Sequence, residues 1–358
     1  MAQGRLRAPF LALALFALLA ALWAGWIRIG WKWPPLQPYL PGSHGPLMVA
    51  GFLGSLIALE RAVALNRKWM YLSPLFSGIG GLVIATGING AIGSYLLTLG
   101  SLLLVAIFYS ILREHTTSYT VAMALGALAF SIGSVLWLLG WSIPRVVLWW
   151  ETFLVLTIAG ERLELGRLVR LSKQAIQAFS IAMFILILGI LVAAFSIRIG
   201  TRIFSLSLLA LSIWLLVNDI SWRTIRQHGV PRYAAICLLS GFVWLAIGGL
   251  LGLIYGAQAA GPLYDAILHT VFIGFVISMI FGHAPIIFPS ILGLPIQYSP
   301  SFYTHLILLH SSLILRVVGD LLLNPMMRQW GGLLNGIAIL LFLALTALAM
   351  ARSSQVNI

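Results

Sequence analysis

Residues 268–285 read LHTVFIGFVISMIFGHAP, an apolar run with a histidine near each end and no other ionisable side chain between them. A helix that crosses the hydrocarbon core of a bilayer needs about 20 such residues. Because His269 and His283 are 14 positions apart, a helix would separate them by about 21 Å and turn them to within about 40° of each other. The stretch therefore predicts a spanning helix with one imidazole near each membrane surface, on the same side.

Similar apolar runs continue along the whole chain. It has 358 residues, 61% of them hydrophobic and 8% charged, and a mean hydropathy of +1.04, which excludes a soluble domain. The pattern predicts an all-α polytopic membrane protein that forms a single integral membrane domain over residues 1–358. The twelve predicted spans are 8–27, 44–65, 69–89, 91–112, 117–140, 144–165, 176–197, 201–220, 232–255, 264–284, 302–323 and 330–351.

The formal net charge of +13 is explained more simply by membrane topology than by binding to a nucleic acid. With the N-terminus inside, 12 of the 21 Lys and Arg residues fall in cytoplasmic segments and six fall outside. This bias predicts a multi-pass protein of a bacterial-type inner membrane, with both termini cytoplasmic. The single cysteine, Cys237, excludes an intrachain disulfide and a cysteine-only metal cluster.

Three of the predicted spans resemble one another. Span 2 contains GFLGSLIALER at 51–61, span 6 contains TFLVLTIAGER at 152–162, and span 10 contains GFVISMIFGHA at 274–284. A real repeat predicts three pseudo-threefold-related four-helix groups, centred on spans 44–65, 144–165 and 264–284, with these spans lining the interior. The alternative is three unrelated helices with polar ends at the interface.

A twelve-helix chain with histidines on spans 2 and 10 resembles subunit I of the haem-copper oxidases. The pattern of His269, then Ser278-Met279-Ile280, then Gly282-His283 is similar to that of the NnrS family. NnrS proteins are twelve-span bacterial membrane proteins that bind haem and copper and are linked to nitric oxide metabolism. These resemblances imply a haem protein that binds a diatomic gas or exchanges electrons with a redox partner.

His44 follows the turn PYLPGS and opens span 2 on the side where His269 lies in span 10. In the oxidase-like arrangement, helices 2 and 10 carry the two axial ligands of the low-spin haem. The resemblance therefore implies that His44 and His269 bind one b-type haem. The alternative for His44 is a helix cap in the headgroup layer.

His283 lies at the other end of span 10, close to the start of span 11. His305 and His310 on span 11 differ by about 140° around the helix, so one of them is expected to face His283. This group predicts a second site, for copper, zinc or a second haem. Interfacial histidines bonded to loop carbonyl groups are the alternative.

Charged residues also occur inside the predicted spans. Glu60-Arg61 and Glu161-Arg162 occupy equivalent places in spans 2 and 6, and we expect an ion-pair network, because isolated charges in lipid are costly. A proton path or a contact with a haem propionate is the alternative. Arg316 is expected to pair with Asp320, four residues on, or to hold a propionate by a bidentate contact.

Spans 6 and 7 contain no histidine, where the oxidases place their copper ligands, so oxygen reduction at a haem-copper centre is not expected. The absence of CxxCH excludes haem c. No catalytic residue is assigned. Two other functions remain open: a proton-coupled transporter of a small solute that uses Glu60, Glu161 and His283, and a metal-free scaffold subunit with an oxidase-like fold.

Overall fold

The computed structural model describes residues 2–88 and 90–356. Over these residues the chain is 85% helical and forms no β-strand, and twelve helices are long and apolar enough to cross a membrane. Helices suit this composition because a backbone in lipid must satisfy its own hydrogen bonds. The predicted all-α polytopic class and the predicted number of spans are confirmed.

The spanning helices are numbered α1 to α12 in chain order. Their bounds are Leu6–Arg28, Leu40–Leu65, Lys68–Thr86, Ala91–Glu114, Ser118–Leu138, Ile143–Val169, Lys173–Phe195, Ile197–Asn218, Val230–Tyr255, Pro262–Leu292, Phe302–Leu321 and Pro325–Ser353. The largest departure from the predicted bounds is in α10, which continues to Leu292 instead of ending near residue 284. Pro285 and Pro289 lie within this extension.

Packing divides the chain into two compact units. The first contains α1 to α4, all of α5 but residues 121–123, and α6 as far as Phe153. It also contains residues 287–294 of α10 and the connection after it. The second contains α6 from Leu154 onward, α7 to α9, α10 as far as Ile286, and α11 and α12. The prediction of a single domain with three pseudo-threefold-related groups depends on how the two units are arranged relative to each other. It therefore stays a prediction.

Burial differs strongly among the spans. The three most enclosed helices are α6, α2 and α10, with 83%, 72% and 67% of their most apolar windows buried. At the other extreme, α7 has 28% of its window buried. The helices that carry the predicted repeat are therefore those whose apolar windows are most buried.

Two of these helices contain a π-helical segment. In α2 it covers Leu47–Leu53, and in α10 it covers Thr270–Ile277. When the two helices are aligned through Phe52 and Phe275, the two segments begin at the same position. In α6 the corresponding stretch is regular α-helix. Segments of π-helix are rare, and they occur frequently at functional sites.

Close packing of α9 on α10 sets the register of the second unit. A Cβ at Gly248 would lie 2.9 Å from Oγ1 of Thr270, and one at Gly241 would lie 3.4 Å from Cβ of Ser278. Small residues of this kind let spanning helices approach closely. The contacts bring successive turns of α9 level with successive turns of α10.

Candidate functional site

The first polar site lies in the second unit, where α10 begins. Arg316 of α11 donates from Nε to Oδ2 of Asp265 at 2.7 Å and from Nη2 to Oδ1 at 2.8 Å. Its Nη2 also lies 3.3 Å from Nε2 of His269. Both Asp265 and Arg316 are buried. A bidentate contact of this type combines charge pairing with a fixed geometry.

The expected pair of Arg316 with Asp320 is wrong. Asp320 instead faces Arg328 of α12, whose Nε lies 3.0 Å from its Oδ1 and 3.8 Å from Oδ2 of Asp265. Asp320 is fully buried, and neither of its oxygens accepts a hydrogen bond from residues 2–88 or 90–356. We call Asp265, His269, Arg316, Asp320 and Arg328 the His269 cluster.

The tautomer of His269 follows from its hydrogen bonds. Nδ1 lies 2.9 Å from the backbone oxygen of Asp265, one turn earlier in α10. A carbonyl oxygen can only accept, so Nδ1 carries the proton, and a guanidinium can only donate, so Nε2 presents its lone pair to Arg316. His269 is therefore held with Nε2 unprotonated.

The second polar site lies in the same unit, near the other end of α10. Arg162 of α6 donates from Nε to Oδ2 of Asp219 at 2.7 Å and from Nη2 to Oδ1 at 2.9 Å. Asp219 follows α8, and its Oδ1 also accepts from the backbone N–H of Ser221 at 2.8 Å and from the Ser221 hydroxyl at 2.5 Å. Arg162 therefore pairs with a residue that the sequence did not single out.

His283 completes this site. Its Nδ1 donates to the backbone oxygen of Met279 at 2.8 Å, and its Nε2 lies 3.5 Å from Nη1 of Arg162. We call Arg162, Asp219, Ser221 and His283 the His283 cluster. One pattern thus occurs twice on α10: an aspartate holds an arginine by two bonds, and the arginine faces Nε2 of a histidine bonded to the preceding turn.

His44 lies in the first unit, at the start of the helical part of α2 that follows the 3₁₀ turn Leu40–Ser43. Its Nδ1 lies 2.7 Å from the backbone oxygen of Ala21 in α1. The ring packs on Gly25, where a Cβ would lie 2.9 Å from both Nδ1 and Cε1. His44 therefore has the same Nδ1–H tautomer as His269, with its ring fixed against α1.

His305 is buried and His310 is partly buried in α11, and they bind different parts of α9. Nε2 of His305 lies 2.8 Å from the hydroxyl of Tyr233, and Trp244 donates from Nε1 to Nδ1 of His310 at 3.0 Å. Because Nδ1 of His310 accepts, its proton is on Nε2 when the ring is neutral. In this arrangement His310 offers no lone pair to a metal.

The remaining residues of the predicted charge network are partly exposed. Glu60 and Arg61 of α2 lie 3.7 Å apart, and the Arg61 guanidinium lies 6.0 Å from the centre of the Phe108 ring. Glu161 precedes Arg162 in α6. Within residues 2–88 and 90–356, no group of three or more His, Cys, Asp or Glu side chains is arranged to hold a metal ion.

Comparison with protein-family models identifies the family of this chain. Residues 7–351 fit the family model described as a domain of unknown function (DUF8744). The chain belongs to this family. No curated protein matches it.

One buried carboxyl of this DUF8744 member was missed at the sequence level. Glu151 of α6 is 1% exposed, and its Oε1 has no hydrogen-bond partner among residues 2–88 and 90–356. An acidic residue within VVLWWETFLV should have been singled out, because ionisable groups inside spans are functional candidates. Asp265 could have been singled out in the same way, because it is an ionisable residue at the start of an apolar span, four residues before His269.

Proposed function

We propose that this protein is a membrane haem protein in which His44 and His269 are axial ligands of a b-type haem. It would bind a diatomic gas such as nitric oxide, or relay electrons to a redox partner, as the resemblance to NnrS proteins implies. The observation that carries the proposal is the tautomer shared by the two histidines. Each donates from Nδ1 to a backbone carbonyl, which leaves the lone pair on Nε2.

This arrangement matches what an axial ligand requires. Histidines that bind a metal usually donate their other ring nitrogen to a carbonyl or a carboxylate, which fixes the ring and its tautomer. Neutral imidazole is a common axial ligand of haem iron. A π-helical segment lies close to each histidine: one begins three residues after His44 and the other directly after His269.

The donor chemistry fits a haem, subject to one condition. Nη2 of Arg316 lies 3.3 Å from Nε2 of His269, so that contact must break before the nitrogen can bind iron. Arg316 could keep one bond to Asp265, or turn to Asp320, and then face a propionate. A bound haem would supply the gas-binding or electron-transfer chemistry, whereas the protein holds and orients the imidazoles.

Copper or a second haem at His283 has weaker support. Its Nε2 faces Arg162, which Asp219 and Ser221 hold in place. The two histidines proposed to share the site are bonded to Tyr233 and Trp244. We therefore place the proposed haem at His44 and His269 alone.

A reduced-minus-oxidised absorption spectrum of the purified protein tests the proposal. The parent protein should show the sharp bands of a low-spin b-type haem, and His44→Ala should lose them while remaining monodisperse in detergent. His115→Ala is the matched control, because His115 lies in the connection after α4. A parent protein without haem after expression with haem supplied would contradict the proposal.

The proposed location is a bacterial-type inner membrane, with both termini cytoplasmic. The excess of Lys and Arg in alternate connections supports this orientation. A reporter enzyme that is active only in the cytoplasm, fused to each terminus in turn, tests it. Activity at both termini is the expected result.

A proton-coupled transporter is the second candidate, and Glu151 is the observation that favours it. Its side chain is buried, and Oε1 has no hydrogen-bond partner within the described parts of the chain, residues 2–88 and 90–356. Burying a carboxylate is costly, so this side chain is expected to carry a proton. Dicyclohexylcarbodiimide, which is apolar and modifies protonated carboxyl groups, should label Glu151 in the membrane. Labelling that persists in Glu151→Gln would remove this support.

A further inference from the structure

Four buried polar atoms in the second unit lack a hydrogen-bond partner among residues 2–88 and 90–356. They belong to neither the His269 cluster nor the His283 cluster. They are Oγ1 of Thr157, Oγ of Ser278, Nδ1 of His305 and Nε2 of His310. Each of these residues is buried or largely buried on α6, α10 or α11.

These atoms occupy successive depths between the two clusters. Along α11, His310 lies about 9 Å from Arg316, and His305 lies about 7.5 Å beyond His310. Along α10, Ser278 follows His269 after the π-helical segment and lies about 7.5 Å from His283. The steps through α-helical segments are therefore about 7.5 to 9 Å long, a gap that two or three waters span.

Thr157 and Ser278 occupy the same position relative to the His283 cluster on their own helices. Thr157 precedes Arg162 by five residues, and Ser278 precedes His283 by five residues. Arg162 and His283 contact each other at 3.5 Å. Each hydroxyl therefore lies about 7.5 Å along its helix from this contact.

Contacts with α9 connect the levels laterally. Trp244 contacts both Gly274 of α10 and His310 of α11. One turn away, Gly241 packs against Ser278, and further along Tyr233 bonds to His305. Ser278 of α10 and His305 and His310 of α11 therefore lie on helices that both contact the same stretch of α9.

Ordered water is the usual partner of such groups. A buried polar atom without any hydrogen bond costs free energy, and buried waters typically bond to two to four groups of this kind. Hydroxyl groups both donate and accept, and a neutral imidazole donates from one nitrogen and accepts at the other. Side chains of these two types can pass a proton along a line of waters.

We propose that the second unit contains a water-filled proton path that joins the His269 cluster to the His283 cluster through His310, Ser278, Thr157 and His305. In each transfer a water or a hydroxyl group accepts a proton on one side and releases another on the opposite side, whereas His310 donates from Nε2–H to a water and holds it in place. No electron is exchanged. This activity does not depend on haem.

The arginines at the two ends do not close such a path electrostatically. An unpaired arginine in a pore repels protons. Here Asp265 holds Arg316 and Asp219 holds Arg162, each through two hydrogen bonds. Each end therefore presents a neutral pair beside a histidine.

Proton flux in vesicles tests the proposal. The full chain is reconstituted into liposomes that contain a pH-sensitive dye, and valinomycin with a potassium gradient sets the membrane potential. Wild-type vesicles should acidify faster than vesicles without protein. Ser278→Ala and His310→Phe should each slow the protein-dependent flux about tenfold, the factor expected for the loss of one hydrogen bond to a transferring group.

Ser212→Ala is the matched control, because the Ser212 hydroxyl is buried in the same unit but donates to the backbone oxygen of Phe242 at 2.6 Å. It should conduct at the wild-type rate. If His310→Phe does not fold, Thr157→Val replaces it, since this change keeps the side-chain shape. Flux equal to that of vesicles without protein, or wild-type flux in either path variant, would overturn the proposal.

Discussion

The His269 cluster and the His283 cluster share one hydrogen-bond pattern but differ in how completely their carboxylates are bonded. Asp219 accepts two bonds from Arg162 and two more from Ser221. In the His269 cluster, Asp320 is fully buried beside Arg328 without a hydrogen bond to either oxygen from residues 2–88 or 90–356. The carboxylate of the His283 cluster is saturated with hydrogen bonds, whereas the His269 cluster keeps acceptor capacity on Asp320 that its arginines do not use.

Under the proposed function, this difference separates a structural role from a ligand-binding one. The saturated pair of Arg162 and Asp219 links α6 to the segment after α8 and fixes these elements. In the His269 cluster, Arg316 has a second carboxylate four residues along its own helix, so it can move without losing all its partners. His269 is therefore the histidine whose Nε2 can become available to a ligand.

The largest expected effect is that of Asp219→Ala. The change leaves the Arg162 guanidinium buried without an anion, and breaking a buried pair in this way costs about 3–5 kcal/mol of stability. Unfolding of the purified protein by denaturant measures the loss. Asp265→Ala is the matched change, and it should cost clearly less because Asp320 remains near Arg316. Equal losses would mean that the two clusters do not differ.

A double-mutant cycle sharpens the same point. If Asp320 replaces Asp265 as the partner of Arg316, the variant that combines Asp265→Ala with Asp320→Asn should lose more stability than the two single variants together. The expected coupling is about 2 kcal/mol, within the range of residues in one ionic network. Additive losses would show that Asp320 does not serve as the second acceptor.

A smaller effect is expected for Ser221→Ala. The change removes one of the four hydrogen bonds to Asp219 and should cost about 1 kcal/mol. The backbone N–H of Ser221 still donates to the same oxygen. Denaturant unfolding again gives the value, with Ser240→Ala as the control, because Ser240 bonds within its own helix. A loss as large as that of Asp219→Ala would contradict a shared network.

The spans and their burial could be predicted, because apolar length and periodicity report directly on the lipid environment. The alignment of GFLGSLIALER, TFLVLTIAGER and GFVISMIFGHA also predicted which helices are most enclosed. The π-helical segments could not be predicted, since nothing in LMVAGFL or TVFIGFVI departs from an ordinary apolar helix.

The ion-pair partners could not be predicted from spacing. A pair four residues apart suited Arg316 and Asp320, but a basic residue before an acidic one is the less favourable order. Asp265, 51 positions away, meets the guanidinium with both oxygens instead. Asp219 is 57 positions from Arg162, in a connection that no sequence pattern places beside α6.

The most direct test of the central claim compares the haem spectra of His269→Ala and His283→Ala. Both proteins are purified in the same detergent after expression with haem supplied, and reduced-minus-oxidised spectra are normalised to protein. We expect His269→Ala to lose the low-spin b-type bands and His283→Ala to keep them at the parent level. Bands that survive in His269→Ala, or that disappear only in His283→Ala, would contradict the assignment of the functional histidine.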